Sequence, residues 1–224
     1  TALSRRAQVV VAPDAKNASS TLVSISTVQS AAKAGDVDLG TTQLTAATAG
    51  RDLTIDVSRT GQQGGTVTLG QVNSAGGTYL NDLTVTLFNA TDTNSNQTAG
   101  VLKLTGDIAL DNDGSGDAGS LVVSGGVANT TALSRRAQVV VAPDAKNASS
   151  TLVSISTVQS AAKAGDVDLG TTQLTAATAG RDLTIDVSRT GQQGGTVTLG
   201  QVNSAGGTYL NDLTVTLFNA TDTN

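Results

Sequence analysis

"AGRDLTIDV", residues 49–57, sets Leu53, Ile55 and Val57 at alternate positions behind a small residue and a glycine. Period-two alternation is the mark of a strand with one buried face. The same opening returns as "AGDVDL" at Ala34, "GGTVTL" at Gly64, "AGVLKL" at Ala99 and "AGSLVV" at Ala118. Apolar runs begin near Gln8, Leu22, Val37, Leu53, Val67, Leu83, Leu102 and Leu121, then restart at Gln138. Every second start falls into one of two columns, one holding Gln8, Val37, Val67 and Leu102, the other Leu22, Leu53, Leu83 and Leu121. The steps within a column are about 30 residues or slightly more, the length of one coil of a β-solenoid.

Several runs carry a glycine between two apolar halves, as in "VDLGTTQL" (37–44), "VTLGQV" (67–72), "LKLTGDI" (102–108) and "LVVSGGV" (121–127). Such glycines, and the A-G or G-G that opens each run, predict corners, where the backbone turns in ways a side chain would oppose. The predicted fold is all-β, a parallel β-helix of roughly 30-residue coils. The alternative is a tandem array of immunoglobulin-like β-sandwiches, which eight strands in one unit would also allow. The missing Trp, the repeated glycine corners and the even column spacing favour the solenoid.

Residues 131–224 reproduce residues 1–94 without a change. The domain organisation read from this is a complete repeat unit at 1–130 and an incomplete second copy at 131–224, joined as one continuous solenoid. About four coils per unit would advance the chain by roughly 19 Å at the usual strand spacing. Neither end carries a distinct capping sequence, so the expectation is a window from a longer array.

Composition narrows the functional classes. Aromatic residues are 2% of the chain, with two Phe, two Tyr and no Trp. The core must therefore be built from Val, Leu, Ile and Ala in thin repeated layers. The net charge is −5, every acid is Asp, and the basic residues cluster only at Arg5-Arg6 and its copy Arg135-Arg136. No nucleic-acid partner is expected from that balance. Nor does any apolar stretch reach membrane-span length. Cys, Met and His are absent, which excludes disulfides, histidine-based catalysis and the usual zinc sites.

"AGRDLTIDV", "GGTVTLGQVNSAGG" and "GDIALDNDGSGDAGSLVVSGGV" resemble the repeats of filamentous-haemagglutinin-like adhesins and related giant bacterial surface proteins. The resemblance spans roughly residues 35–127 and the matching part of the second copy. It implies a right-handed parallel β-helix, secretion to the cell surface, and a role in adhesion, fibres or biofilm. The identical 130-residue repeat departs from that family, whose coils diverge, and points toward a repetitive filament.

Two sets of residues are candidate sites. "DNDGSGD" (111–117) offers Asp111, Asp113, Ser115 and Asp117 as alternate oxygen ligands for calcium, with glycine at the sixth place. Val122 stands where an EF-hand needs its closing Glu, so only a looser calcium turn fits, and a plain polar turn explains the same residues. Asn17, Asn89, Asn96, Asn129, Asn147 and Asn219 each begin a glycosylation sequon. Paired acids, Asp36 with Asp38 and Asp52 with Asp56, admit a polysaccharide-active β-helix enzyme as a further alternative. Solvated surface charge accounts for them better, because an identical repeat would duplicate any active site.

The expected function is a non-enzymatic extracellular structural protein of the cell surface. It would self-associate into filaments and into bundles of them, without a cofactor other than calcium. The alternative is the stalk of a large secreted adhesin whose recognition domain lies elsewhere.

Overall fold

The computed structural model describes residues 7–12, 22–27, 33–59, 62–72, 78–88, 98–111, 118–125, 136–143, 149–157, 163–202 and 208–218. These residues form fifteen strands and no helix. None, therefore, is a helix long and apolar enough to cross a membrane. In chain order they are β1 (Ala7–Val11), β2 (Leu22–Ser26), β3 (Val37–Ala46), β4 (Arg51–Asp56), β5 (Thr66–Val72), β6 (Leu80–Thr86), β7 (Val101–Leu104) and β8 (Ile108–Ala109). Then follow β9 (Leu121–Ser124), β10 (Gln138–Val141), β11 (Leu152–Ser156), β12 (Val167–Ala176), β13 (Asp182–Asp186), β14 (Val197–Val202) and β15 (Leu213–Thr216). Every start read from the sequence lies within a strand, at most three residues after its first residue. All pairings are parallel and link the strands into one sheet, the signature of a β-solenoid. Immunoglobulin-like sandwiches, built from antiparallel sheets, are not what this chain forms.

The two expected columns are three. β3 bends at Gly40 and β5 at Gly70, so each strand contributes to two faces of the coil. The first face stacks β1, the second half of β3, the end of β5, β8, β11, β13 and β15. The second stacks β2, β4, β6, β9 and the first halves of β12 and β14. The third stacks the first halves of β3 and β5, then β7, β10 and the ends of β12 and β14. Gln8 thus lies over Gln43 rather than Val37, while Val37, Val67 and Leu102 do form a column as expected. Leu22 is off its expected column by one residue, since Val23 is the residue that meets Leu53.

Inward aliphatic residues stack coil upon coil. On the first face Val9, Leu44, Val72, Ile108, Ile155, Ile185 and Val215 follow one another in register. The five inner members of that column are buried, and each contributes about 1.5–3 kcal/mol by leaving water. Leu53, Ile55 and Val57 point inward as their alternation requires, with Leu83 and Val85 on the coil beyond Leu53 and Ile55.

The strand-opening glycines have a different reason from the one expected. A Cβ on Gly65 would fall against the Gly35 carbonyl oxygen, and one on Gly100 against that of Gly65. Gly165 and Gly195 repeat this contact over Gly119 and Gly165. Close approach between coils, rather than unusual dihedrals, excludes a side chain there. Gly50 and its copy Gly180 are the exceptions, with φ of 67° and 75° and open space around their Cβ positions.

The second copy does not repeat the placement of the first. Gln8 belongs to the first face but Gln138 to the third; Leu22 belongs to the second face but Leu152 to the first. Among the described residues the nine strands of the first unit, with β3 and β5 each counted on two faces, occupy eleven faces. Eleven faces make three and two-thirds coils, close to the expected four, and the missing third moves the next copy to a neighbouring face.

Candidate functional site

The acidic residues are the chemistry-bearing groups of the coil surface, and the corners position them. Asp38 sits at the Gly40 bend, where its Oδ1 accepts the Gly40 N–H at 2.9 Å; Asp168 does the same with Gly170 at 2.8 Å. Asp56 and Asp186 each accept the N–H two residues on, from Ser58 and Ser188, at 2.9 Å. A carboxylate reaching a backbone N–H two residues away stabilises a turn, and Asp has the right length for it.

A second group of carboxylates joins successive coils. Asp36 Oδ1 accepts the Thr66 N–H at 2.7 Å, and its copy Asp166 accepts the Thr196 N–H at 2.6 Å. Asp52 Oδ1 accepts the Asp82 N–H at 3.2 Å and the Asn81 Nδ2 at 2.7 Å. Asp82 in turn accepts the Ser120 N–H at 2.8 Å, and Asp107 accepts that of Ser154 at 2.8 Å. Each bond places a charged acceptor on a donor one coil further along, main-chain in every case but the Asn81 amide, a stronger contact than one between neutral groups. These staples were not read from the sequence. Their one sequence signal is Asp recurring at the coil length, as in Asp52 with Asp82 and Asp182 with Asp212.

The paired acids are therefore brought to the outer surface but are engaged separately. Asp36 holds the next coil while Asp38 caps its own bend, and Asp52 and Asp56 divide the same two tasks. Lys33 Nζ lies 3.9 Å from Asp36 Oδ1 with both side chains about half exposed, a pair that adds little in water. Asp182 shows how neighbours act on such a carboxylate. The Asn211 side-chain hydrogen bond, helped by Thr151, the Asp212 N–H and the charge of Arg181, holds its carboxyl below the usual range against a smaller opposing effect of desolvation.

Of the calcium candidates, Asp111 is fully buried beside β6, where its N–H donates to the Leu80 carbonyl at 2.9 Å. Asp113, Ser115 and Asp117 lie outside the described residues, as do the sequon residues Asn17, Asn89, Asn96, Asn129, Asn147 and Asn219. Among the described residues no three acids gather as a metal-binding group. A polar groove at the junction of the two copies is lined by Gln71, Thr105, Asp107, Ser150 and Leu152 and encloses about 120 Å³. Small-molecule sites begin at roughly 300 Å³. Chemically, the outer surface offers a lattice of occupied carboxylates that ties coils together. Comparison with family models, curated proteins and solved structures finds no match to this chain.

Proposed function

We propose that this chain is a stretch of a non-enzymatic extracellular structural protein, a tandem-repeat segment of a cell-surface filament or matrix fibre serving attachment or biofilm cohesion. One observation carries the reading: β7, β8 and β9 of the first unit pair directly with β10, β11 and β12 of the second. Identical units thus stack without a break in the sheet, and every added coil covers the exposed edge of the last. The acids support the same reading, because Asp36, Asp38, Asp52 and Asp56 each accept a backbone N–H through Oδ1, a bond that fastens a corner or joins two coils.

Electron microscopy of the native assembly tests this proposal. Smooth thin rods at the cell surface are the expected result, and a string of beads or a dispersed monomer would count against it. Incubation with a panel of polysaccharides and peptides should give no turnover. Reproducible hydrolysis or elimination that disappears in Asp36→Asn with Asp38→Asn would replace the structural reading with an enzymatic one.

A further inference from the structure

The geometry points to a calcium site in the polar groove at the junction of the two copies, where one ion would bridge successive coils. Val72 pairs with Ile108 and Ile108 with Ile155, so the residues before them, Gln71, Asp107 and Ser154, follow one another coil upon coil. Gln71, Thr105, Asp107 and Ser150 supply the polar side chains of the groove. They are turned to accepting. Thr105 Oγ1 gives its hydrogen to the Leu69 carbonyl at 2.9 Å, and Ser150 Oγ gives its own to the Leu152 carbonyl at 3.1 Å. Both hydroxyls are left with lone pairs only. Asp107 Oδ1 accepts the Ser154 N–H at 2.8 Å, and the carboxylate keeps acceptor capacity on Oδ2. Gln71 Oε1 is buried and meets no donor among the described residues. A buried acceptor in that position calls for a water or an ion.

A single water could not donate to all of these acceptors, one of which is charged. A hard cation answers them together, since carboxylate, amide and water oxygens are the ligands calcium takes. The groove encloses about 120 Å³, well above the roughly 10–15 Å³ that one water requires, and so admits an ion with its remaining water. Magnesium fits less well, because it demands a near-ideal octahedron and gives up water reluctantly. A single carboxylate keeps the affinity low, and Arg181, whose Nη1 donates to the Ser150 carbonyl, lowers it further. The expected dissociation constant is about 0.1–1 mM, as in extracellular modules. Such a site fills outside a cell, where the fibre reading puts the chain, although binding itself is measurable without that reading.

Equilibrium dialysis against radioactive calcium tests the site, in the 224-residue chain carrying Asp113→Asn and Asp117→Asn so that the 111–117 sequence takes no part. Thr105 and Asp107 belong to the part of the unit present once, so uptake should reach one ion per chain. Asp107→Asn keeps an acceptor for the Ser154 N–H but loses the charge, and should weaken binding by about tenfold or more. Gln71→Glu supplies a second carboxylate and should tighten binding by about the same factor, a gain that damage to the fold would not produce. Asp166→Asn removes the charge of a staple that does not line the groove, and should leave binding unchanged. No uptake at calcium about tenfold above the expected constant would mean that the Gln71 amide turns over and donates to Asp107 itself, and would overturn the proposal. So would uptake matched by magnesium, uptake indifferent to Asp107→Asn, equal weakening by Asp166→Asn, or a Gln71→Glu chain that binds no more tightly. Rods without calcium uptake would leave the fibre reading standing and remove this site, and calcium uptake by dispersed monomers would do the reverse.

Discussion

Phe88 and Phe218 share a sequence context of more than ninety identical residues, yet the first is 2% exposed and the second 70%. Val85 and Val215 differ in the same way, at 0% and 36%. Nothing local separates the members of either pair. What differs is whether another coil lies above, as Leu121–Ser124 lies on the 83–86 strand. In this fold burial belongs to the interface between coils, and a residue becomes core only when its neighbour arrives.

The largest test of that contrast is a charge at the same position in each copy. Val85→Asp buries an unpaired carboxylate between Ile55 and Val123 and should destabilise the protein by about 3–5 kcal/mol. Val215→Asp, at the open end, should cost less than about 1 kcal/mol. Denaturant midpoints of the two variants measure the difference, and equal losses would mean that the end is covered in solution. Phe88→Ala should cost about 3–5 kcal/mol by opening a cavity, against no more than about 0.5 kcal/mol for Phe218→Ala. Thermal unfolding reads that second pair.

The glycines sharpen the comparison further. Gly65→Ala forces a methyl against the Gly35 carbonyl and should cost about 1–3 kcal/mol, mostly by prising two coils apart. Gly50→Ala meets open space, and its φ of 67° should limit the loss to about 1 kcal/mol. Melting temperatures that rank Gly50→Ala as the worse change would restore the dihedral explanation for the strand openings.

The smallest effect concerns acid. Asp182 is held below its ordinary value of 3.8, so the unfolded chain binds that proton more readily than the folded one. Its stabilisation is complete above the ordinary value and is lost as pH falls through the lower folded-state value. Asp182→Asn should remove that increment and flatten the acid limb slightly in a pH series of unfolding midpoints. An unchanged acid limb would assign no stabilising role to this carboxylate's charge.

The strands were legible because alternation is local: Leu53, Ile55 and Val57 announce their face without reference to any other residue. The third face was not, because the corners in "VDLGTTQL" and "VTLGQV" show in the sequence while the faces that their two halves join depend on the partners on either side of Gly40 and Gly70. The same limit hid the Asp staples. The acceptor is visible in the sequence, but its donor is a backbone N–H 30 residues on, which every residue except Pro possesses. Composition carries a trace of both tasks, since all eighteen acids are Asp and none is the longer Glu.

The two-thirds of a coil left over in each unit has a consequence for any longer run of this sequence. Successive units are related by a screw operation, a rotation of one-third of a turn with an advance of about 18 Å at the usual coil spacing. Three units complete eleven coils, so a given surface feature returns to the same side only after about 53 Å. Such a rod has no front and back. Whatever chemistry one unit displays is distributed evenly to three sides, and neighbouring rods would meet equivalent surfaces in three directions, a geometry suited to trigonal packing rather than flat ribbons.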